Sequence, residues 1–304
     1  MKMGMVGLGK MGGNMACRLV RGGVQVVGLD HSAAVVDEWV HSAGITGAHS
    51  VDELLAQLPS PRILWLMLPS GAITEQQILM YAERLQPGDI LIDGGNSNYH
   101  DSERRGALLA AKGIGFMDAG TSGGIWGLDN GYCMMVGAAP DVAERVTPLL
   151  KILAPAADRG WAHVGPVGSG HFVKMIHNGI EYGMMQALSE GLTLLKGKQA
   201  YQLDIAQIAT LWRDASVVRS WLLDLTAEAL QKGVDWSSID TRVADSGEGR
   251  WTAIEAIEQG VPTPVLSLAL QMRFQSQKDD DPLGYKLLSV MRHAFGGHPI
   301  AAQS

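Results

Sequence analysis

Apolar residues in the first half of the chain fall into short unbroken runs separated by stretches with helical spacing. Met3–Val6 is the first run and Met11–Arg21 the first helical stretch. Gly22-Gly23 breaks that stretch before a second run, Val24–Leu29, which ends at Asp30. Arg62–Leu68 and Asp89–Asp93 repeat the strand pattern around a helical stretch at Ile73–Leu85. The turn Gly94-Gly95-Asn96-Ser97 leads into a helix that runs to about Lys112, and a strand through Met117 follows. Strands buried on both faces read as continuous apolar runs, so this alternation predicts a parallel sheet covered by helices on both sides. After Val164-Gly165-Pro166 helical periodicity takes over, at 171–195, 203–232 and 252–274. The predicted architecture is an α/β parallel-sheet domain over 1–165 and an all-α domain over 166–304. Gln277–Pro282 contains a polar, acidic run and reads as a solvated loop. The tail Met291–His298 carries charge and glycine without apolar periodicity, as frayed ends often do.

Within the helical half, residues 168–182 read Gly-Ser-Gly-His-Phe-Val-Lys-Met-Ile-His-Asn-Gly-Ile-Glu-Tyr. An α-helix turns about 100° per residue, so Lys174 and Glu181 project the same way to within about 20°. His177 and Asn178 lie between them, within roughly 60° of Lys174. Phe172, Val173, Met175, Ile176, Ile180, Met184, Met185 and Leu188 make the rest apolar, and the polar stripe stops after Glu181. A solvated face would stay polar along its length, so the pattern predicts a buried helix with a short polar island. Low-dielectric surroundings pull lysine down and glutamate up toward working pKa values, which suits an acid/base pair. The same pattern also fits a buried ion pair joining two helices.

Gly7-Leu8-Gly9-Lys10-Met11-Gly12 lies between the first strand and the first helix. Its glycine spacing alone is weakly specific. A strand before, a helix after, and a second strand ending in an acid make it a dinucleotide site of the Rossmann type. Gly7 allows the tight turn, Gly9 lets a pyrophosphate approach the backbone, and Gly12 lets helix and strand pack closely. The helix start supplies amide donors and partial positive charge. Asp30 lies where a carboxylate accepts both adenosine ribose hydroxyls, and Asp30-His31-Ser32-Ala33-Ala34 offers no arginine for a 2′-phosphate, which favours NAD over NADP. His31 leaves NADP possible, and Asp30 also fits a helix cap. Leu68-Pro69-Ser70, Gly94-Gly95-Asn96-Ser97 and Ala119-Gly120-Thr121-Ser122-Gly123-Gly124 all fall at predicted strand ends, where ligands bind in such sheets.

Composition narrows the field. The 304 residues suffice for two domains, and the net charge of −7 argues against a nucleic-acid surface or an anionic membrane surface. Cys17 and Cys133 sit in no metal-ligand spacing, and two isolated thiols suggest a reducing compartment. The first strand begins at once, so no signal peptide is expected, and no apolar run of about eighteen residues predicts a membrane span. The expectation is a soluble cytoplasmic protein without a metal site.

Met5–Met15, Met-Val-Gly-Leu-Gly-Lys-Met-Gly-Gly-Asn-Met, resembles the opening of the β-hydroxyacid dehydrogenases. Ile92-Asp93-Gly94-Gly95-Asn96-Ser97, Thr121-Ser122-Gly123-Gly124 and the pattern Lys-x-x-His-Asn-Gly-x-Glu-Tyr from Lys174 narrow the resemblance to the decarboxylating 6-phosphogluconate dehydrogenases. It extends through Gly249-Arg250-Trp251-Thr252 and the Arg292…Phe295-Gly296-Gly297-His298 tail, and the chain length suits the short branch. The resemblance implies that Lys174 removes the C3 hydroxyl proton as hydride leaves for the nicotinamide. CO2 is then lost, and Glu181 protonates C1 of the enediol to give ribulose 5-phosphate. A β-keto acid decarboxylates readily, so no metal is required.

By the same resemblance, Leu8, Lys10, Met11, Leu68 and Asn96 join the three loop glycines, Asp30 and His31 around the cofactor. Asn96, Ser122, Gly123, Gly124, His177 and Asn178 surround the sugar acid and nicotinamide. Tyr182, Arg250, Thr252 and Arg273 lie near the phosphate. Arg292 and His298 enter a neighbouring subunit's site, which implies a homo-oligomer, dimer or tetramer. The chain departs from the long enzymes at Ser246-Gly247-Glu248-Gly249-Arg250-Trp251, where they carry Lys-Gly-Thr-Gly-Lys-Trp; an acid near a phosphate is unexpected. A relative such as 3-hydroxyisobutyrate dehydrogenase shares the nucleotide motif and a lysine but needs no proton donor at carbon, so His177 and Glu181 discriminate. A non-catalytic dinucleotide-binding module could dispense with Lys174.

Overall fold

The structure is a computed structural model that describes residues 1–236, 239–277 and 282–297. Two compact units divide at Lys174/Met175. The first holds β1 (Lys2–Val6), α1 (Lys10–Arg21), β2 (Gln25–Leu29), α2 (Ala33–Ala43), β3 (Thr46–Ala48), α3 (Val51–Ala56), β4 (Ile63–Leu66) and α4 (Ala72–Ala82). It continues with β5 (Ile90–Asp93), α5 (Tyr99–Ala110), β6 (Gly115–Ser122), α6 (Gly127–Asn130), β7 (Cys133–Ala138), α7 (Pro140–Leu153) and β8 (Trp161–Gly165). Helix α8 (Ser169–Gly197) begins in the first unit and ends in the second, which adds α9 (Ile205–Leu211), α10 (Trp221–Gln231), α11 (Glu248–Gln259), α12 (Pro264–Gln275) and α13 (Pro282–Gly296). The sequence pattern changes near 165, at the end of β8, whereas the compact units part inside α8.

The eight strands form one sheet in the order β3-β2-β1-β4-β5-β6-β7-β8. Strands β1 to β6 are parallel, as the alternation predicts. The continuation differs: β7 runs antiparallel to β6, and β8 pairs parallel to β7. The chain order reverses between β1 and β4, and their carboxyl ends flank the crevice where such sheets take ligands. Each strand feeds two cores by its two-residue period. Met3, Met5, Ile63, Trp65, Ile90 and Ile92 lie in one core; Val6, Leu64, Leu66 and Leu91 lie in the other.

In the second unit Met185 and Leu192 of α8 pack with Ile205, Leu223, Leu230, Leu287, Leu288 and Met291. Four expectations change there, the first being that the periodic stretch 252–274 is two helices, α11 and α12, parted by Gly260 (φ +67°) and restarted at Pro264. The periodic stretch 203–232 is two helices, because Asp204 and Ser220 each cap a fresh start: Asp204 accepts the amides of Ala206 and Gln207, and Ser220 that of Leu223. The tail is helical through Gly296 and not frayed, since Tyr285, Leu288 and Met291 recur at helical spacing and are buried. His298 lies outside the described residues, as do positions 278–281 of the predicted acidic loop. Helix α8 is not buried all round: Val173, Ile180, Met184 and Leu194 are exposed along one stripe, Ile180 by 50% and Leu194 by 76%. Among the described residues no helix is long and apolar enough to cross a membrane.

A charge cluster ties α4, α5 and the end of β5. Arg104 donates to both carboxylate oxygens of Glu75 (2.6 and 2.8 Å), and Arg105 donates to Glu75 (2.8 Å) and Asp93 (3.2 Å). The Arg104 hydrogen bond, with help from Arg105 and against partial burial, holds the Glu75 carboxyl at about 2 instead of 4.5. A lowered folded pKa contributes stability that is complete above the unfolded value and is lost as pH falls through the folded one. Glu75→Gln should therefore lower the thermal unfolding midpoint near neutral pH, and the gap from wild type should close as pH falls from 4.5 toward 2. An unchanged gap across that window would show the cluster contributes no pH-linked stability.

Candidate active site

The first unit supplies a loop shaped for a pyrophosphate. Gly7 has φ +88°, and a Cβ there would meet Met67 O at 2.3 Å; one on Gly12 would meet Gly7 O at 1.9 Å. A Cβ on Gly9 would meet nothing within 4 Å, so this position is open to an approaching ligand. Helix α1 starts at Lys10 with no side-chain cap, which leaves its first amides as donors beside Gly9, Lys10 and the partly exposed Met11. Leu8 points into the core, its amide donates to Asp30 Oδ2 (2.7 Å), and its carbonyl accepts from Trp39 Nε1 (2.8 Å). The Asp30 carboxylate also accepts the Ser32 amide (3.0 Å) and lies 2.8 Å from His31 Nδ1. Asp30 therefore ties β2 to the glycine loop while keeping lone pairs for a hydroxyl donor. The open glycine, uncapped helix start and strand-end acid fit a dinucleotide.

Three further turns follow strand ends. Leu68 follows β4, and its carbonyl lies 2.7 Å from where Gly95 would carry a Cβ. Asp93, fully buried, accepts from the Gly95 amide (3.1 Å), Ser97 Oγ (2.7 Å) and Arg105 (3.2 Å), which fixes the turn that presents the exposed Asn96. Ser122 ends β6, and Gly123 (φ +125°) and Gly124 (φ +53°) need conformations that favour glycine.

Lys174 ends the first unit and is only 9% exposed. The helix that carries it starts after Gly168, which has no side chain to cap with. Asp118 of β6 does so from the sheet: its Oδ1 accepts the Gly168 amide and its Oδ2 the His171 amide, both at 2.7 Å. Burial pushes the Asp118 pKa up, while His171 and these two amides pull it down. A hydrogen bond to a charged group contributes about 1.5–3 kcal/mol. His171 Nδ1 lies 2.7 Å from Ser102 Oγ, so α5 holds the same turn. Gly120 clears space for Lys174: a Cβ there would sit 2.5 Å from Lys174 Cβ.

The second unit gathers the rest. His177 Nδ1 lies 3.1 Å from Asn178 Oδ1 and 4.0 Å from Glu181 Oε2. Thr252 is buried, and its hydroxyl lies 3.0 Å from Met175 O and 2.9 Å from Glu248 O, so it ties α11 to α8. The Arg273 guanidinium lies 3.3 Å above the Tyr182 ring, and Arg250 lies 4.3 Å from the Phe274 ring while pairing with Asp245. A cavity of about 490 Å³ is lined by Asp245, Ser246, Gly247, Arg250, Arg273 and Phe274, among others. Arg273 and Arg292 are 3% and 8% exposed. Burial lowers both pKa values, against which Tyr182, Glu181 and Asp245 raise them, and Glu248 also raises that of Arg292. Arginine stays protonated in proteins, so these lowered values mark a burial cost that an anion would relieve. Burial likewise raises the Tyr182 pKa.

Sequence reasoning missed Asp118, whose amide partners lie 50 and 53 residues along the chain, and Asp245, which pairs with Arg250 on the next helix. Glu248, flagged as out of place, is 2% exposed and its Oε2 has no hydrogen-bond partner.

Comparisons with known proteins agree across this arrangement. The NAD-binding domain of 6-phosphogluconate dehydrogenase matches residues 2–165, and the C-terminal domain of that enzyme matches 170–298. The Bacillus subtilis (strain 168) protein YqeC is 42% identical over 98% of both chains. The NAD(+)-dependent, decarboxylating 6-phosphogluconate dehydrogenase of Haloferax volcanii is 38% identical over 99% of both. A Plasmodium falciparum 6-phosphogluconate dehydrogenase, solved apo, with NADP+ and with 6-phosphogluconate, superposes with a TM-score of 0.84 at 28% identity, covering 96% of this chain and 70% of that one. With both domain models matched in order and full-length relatives at this identity, the chain belongs to the 6-phosphogluconate dehydrogenase family.

Proposed function

We propose that this chain converts 6-phospho-D-gluconate to D-ribulose 5-phosphate and CO2, with NAD the preferred cofactor and NADP a lesser one. The observation that carries the reading is the buried Lys174, seven residues before Glu181 on α8, in a chain whose second unit holds a cavity lined by Arg250 and Arg273. Bound NAD supplies the hydride acceptor. Lys174, as the free amine, takes the C3 hydroxyl proton when C3 is oxidised. The C1–C2 bond then breaks, its electron pair passes to the C3 oxygen, and Lys174 returns a proton there as CO2 leaves. Glu181 protonates the carbon that lost CO2, and the enediol hydroxyl proton goes back to Lys174. His177 and Asn178, with Asn96, Ser122, Gly123 and Gly124, orient the sugar acid. Arg250, Arg273, Arg292 and Tyr182 hold the phosphate, which suits guanidinium donors.

The sheet unit serves the cofactor through Gly7, Gly9, Gly12, Lys10, Met11, Leu68, Asp30 and His31; the helical unit serves the substrate and the contact between copies. The exposed apolar stripe Val173, Ile180, Met184 and Leu194 supports a homo-oligomer. Within one chain Arg292 already lies near Arg273 and Tyr182. Exchange of α13 between copies would keep those partners and carry Arg292 and His298 into a neighbouring site. A cytoplasmic location fits the two free cysteines.

Lys174→Met should lower kcat by roughly 10²–10⁴-fold with NADH binding intact. Turnover near wild type would remove Lys174 as the base. The decisive assay follows NADH and CO2 together with 6-phosphogluconate; NADH without CO2 would identify a simple dehydrogenase. Asp30→Ala should weaken NAD more than NADP, and an equal loss for both would leave Asp30 as a loop anchor only. Mixing inactive Lys174→Met with inactive Arg292→Ala should restore activity if tails are exchanged, and no recovery would place Arg292 in its own chain's site.

A further inference from the structure

We propose that Asp118 is the positioning residue for Lys174, setting the phase and height of α8 against β6. The inference rests on the reading of Lys174 as the base. Asp118, Gly120 and Ser122 alternate along β6 and so face one side of the sheet. The first accepts the Gly168 and His171 amides of the opening turn of α8, each at 2.7 Å. The second leaves room for the Lys174 side chain, whose Cβ lies 2.5 Å from the position a Gly120 Cβ would take. The third belongs to the loop assigned to the sugar acid. One strand face thus fixes the helix start, the lysine and the substrate loop in register.

The contact has little slack. Asp118 is fully buried, and a Cβ on Gly137 would sit 2.6 Å from its Oδ1. A Cβ on Gly170 would sit 2.5 Å from Asp118 O and 2.6 Å from Met135 O, so α8 rests directly on strand backbone. Both carboxylate oxygens act as acceptors, which an amide of the same shape cannot reproduce: its NH2 would face one N–H. The carboxylate also offsets the positive end of α8, one turn before Lys174. Losing it disfavours the ammonium, so the base should titrate at lower pH. His171, on the same turn, is the titratable side chain that acts electrostatically on Asp118.

The test is Asp118→Asn in the full-length enzyme. We expect NADH affinity and both KM values near wild type, kcat lower by roughly 10–100-fold, and the acid limb of the kcat/KM profile moved to lower pH. Amide exchange at Gly168 and His171 should speed up. A full kcat with an unmoved acid limb would overturn the proposal, as would a lower kcat with the acid limb in place. If Asp118→Asn fails to bind NADH, Gly120→Ala takes its place: it must shift Lys174 and lower kcat with NADH binding retained, and normal turnover there overturns the register argument. Lys174→Met separates the two failures, because an active Lys174→Met enzyme sinks the base assignment itself, whereas an inactive one beside a normal Asp118→Asn enzyme sinks only this proposal.

Discussion

The active-site reading depends on the phase of one helix. α8 spans 29 residues, about 43 Å at 1.5 Å per residue, and carries Lys174, His177, Asn178, Glu181 and Tyr182. A slip of one residue would turn each of these by about 100°. Side-chain packing alone holds such a phase softly, since exposed apolar residues such as Ile180 and Met184 do not lock it. Backbone contacts hold it firmly: the Gly168 and His171 amides end on Asp118, and Gly137, Gly120 and Gly170 let strand and helix approach to distances that any Cβ would forbid. Glycine here buries backbone against backbone, and the carboxylate satisfies donors that this closeness would otherwise strand.

The same logic shapes the nucleotide side. Gly12 lies on the Gly7 carbonyl, and Gly13 lies on the Trp39 ring, whose Nε1 donates to Leu8 O. The glycine loop is therefore braced from α2 and β2 before any ligand arrives, through Trp39 and Asp30. A braced loop loses little conformational freedom on binding, so more of the phosphate contact energy appears as affinity. The buried Asp93–Arg105–Glu75 cluster does the same for the turn at Asn96. A buried charge cluster contributes uncertain net stability but a definite geometry.

What the sequence made legible follows from range. The β1-to-β6 alternation, the glycine loop and the Lys174 stripe are local patterns, each decided by residues a few positions apart. The antiparallel β7 and the helical tail were not legible in the same way. Strand direction depends on which neighbour β7 meets, and the tail, taken from Met291 onward, hides a period that begins near Leu283 and shows only with Tyr285 and Leu288. The break between α9 and α10 was encoded locally, by the caps Asp204 and Ser220, but an apolar period run across both concealed it. Asp118 was out of reach altogether: its partners lie 50 and 53 residues away, and neither is a side chain. The missing side-chain cap at Gly168 was the one available sign.

Glu248, where the resemblance sets a threonine in the longer enzymes, lies within electrostatic reach of the buried Arg292. Asp245 pairs with Arg250 on the cavity wall, and Glu181 and Asp245 both favour the charged form of Arg273. Arg273 and Arg292, both buried, disfavour each other's charge, and the nearby carboxylates offset that. Arg273 donates to Ala244 O at 3.3 Å, contacts Met185 Sδ at 3.7 Å and lies over the Tyr182 face, which offsets part of its burial. Asp245 on the cavity wall holds Arg250 by an ion pair, so an anion proposed for this space would compete with that carboxylate. The cavity wall thus carries a guanidinium already matched by a carboxylate, and a ligand gains there only what exceeds that pairing.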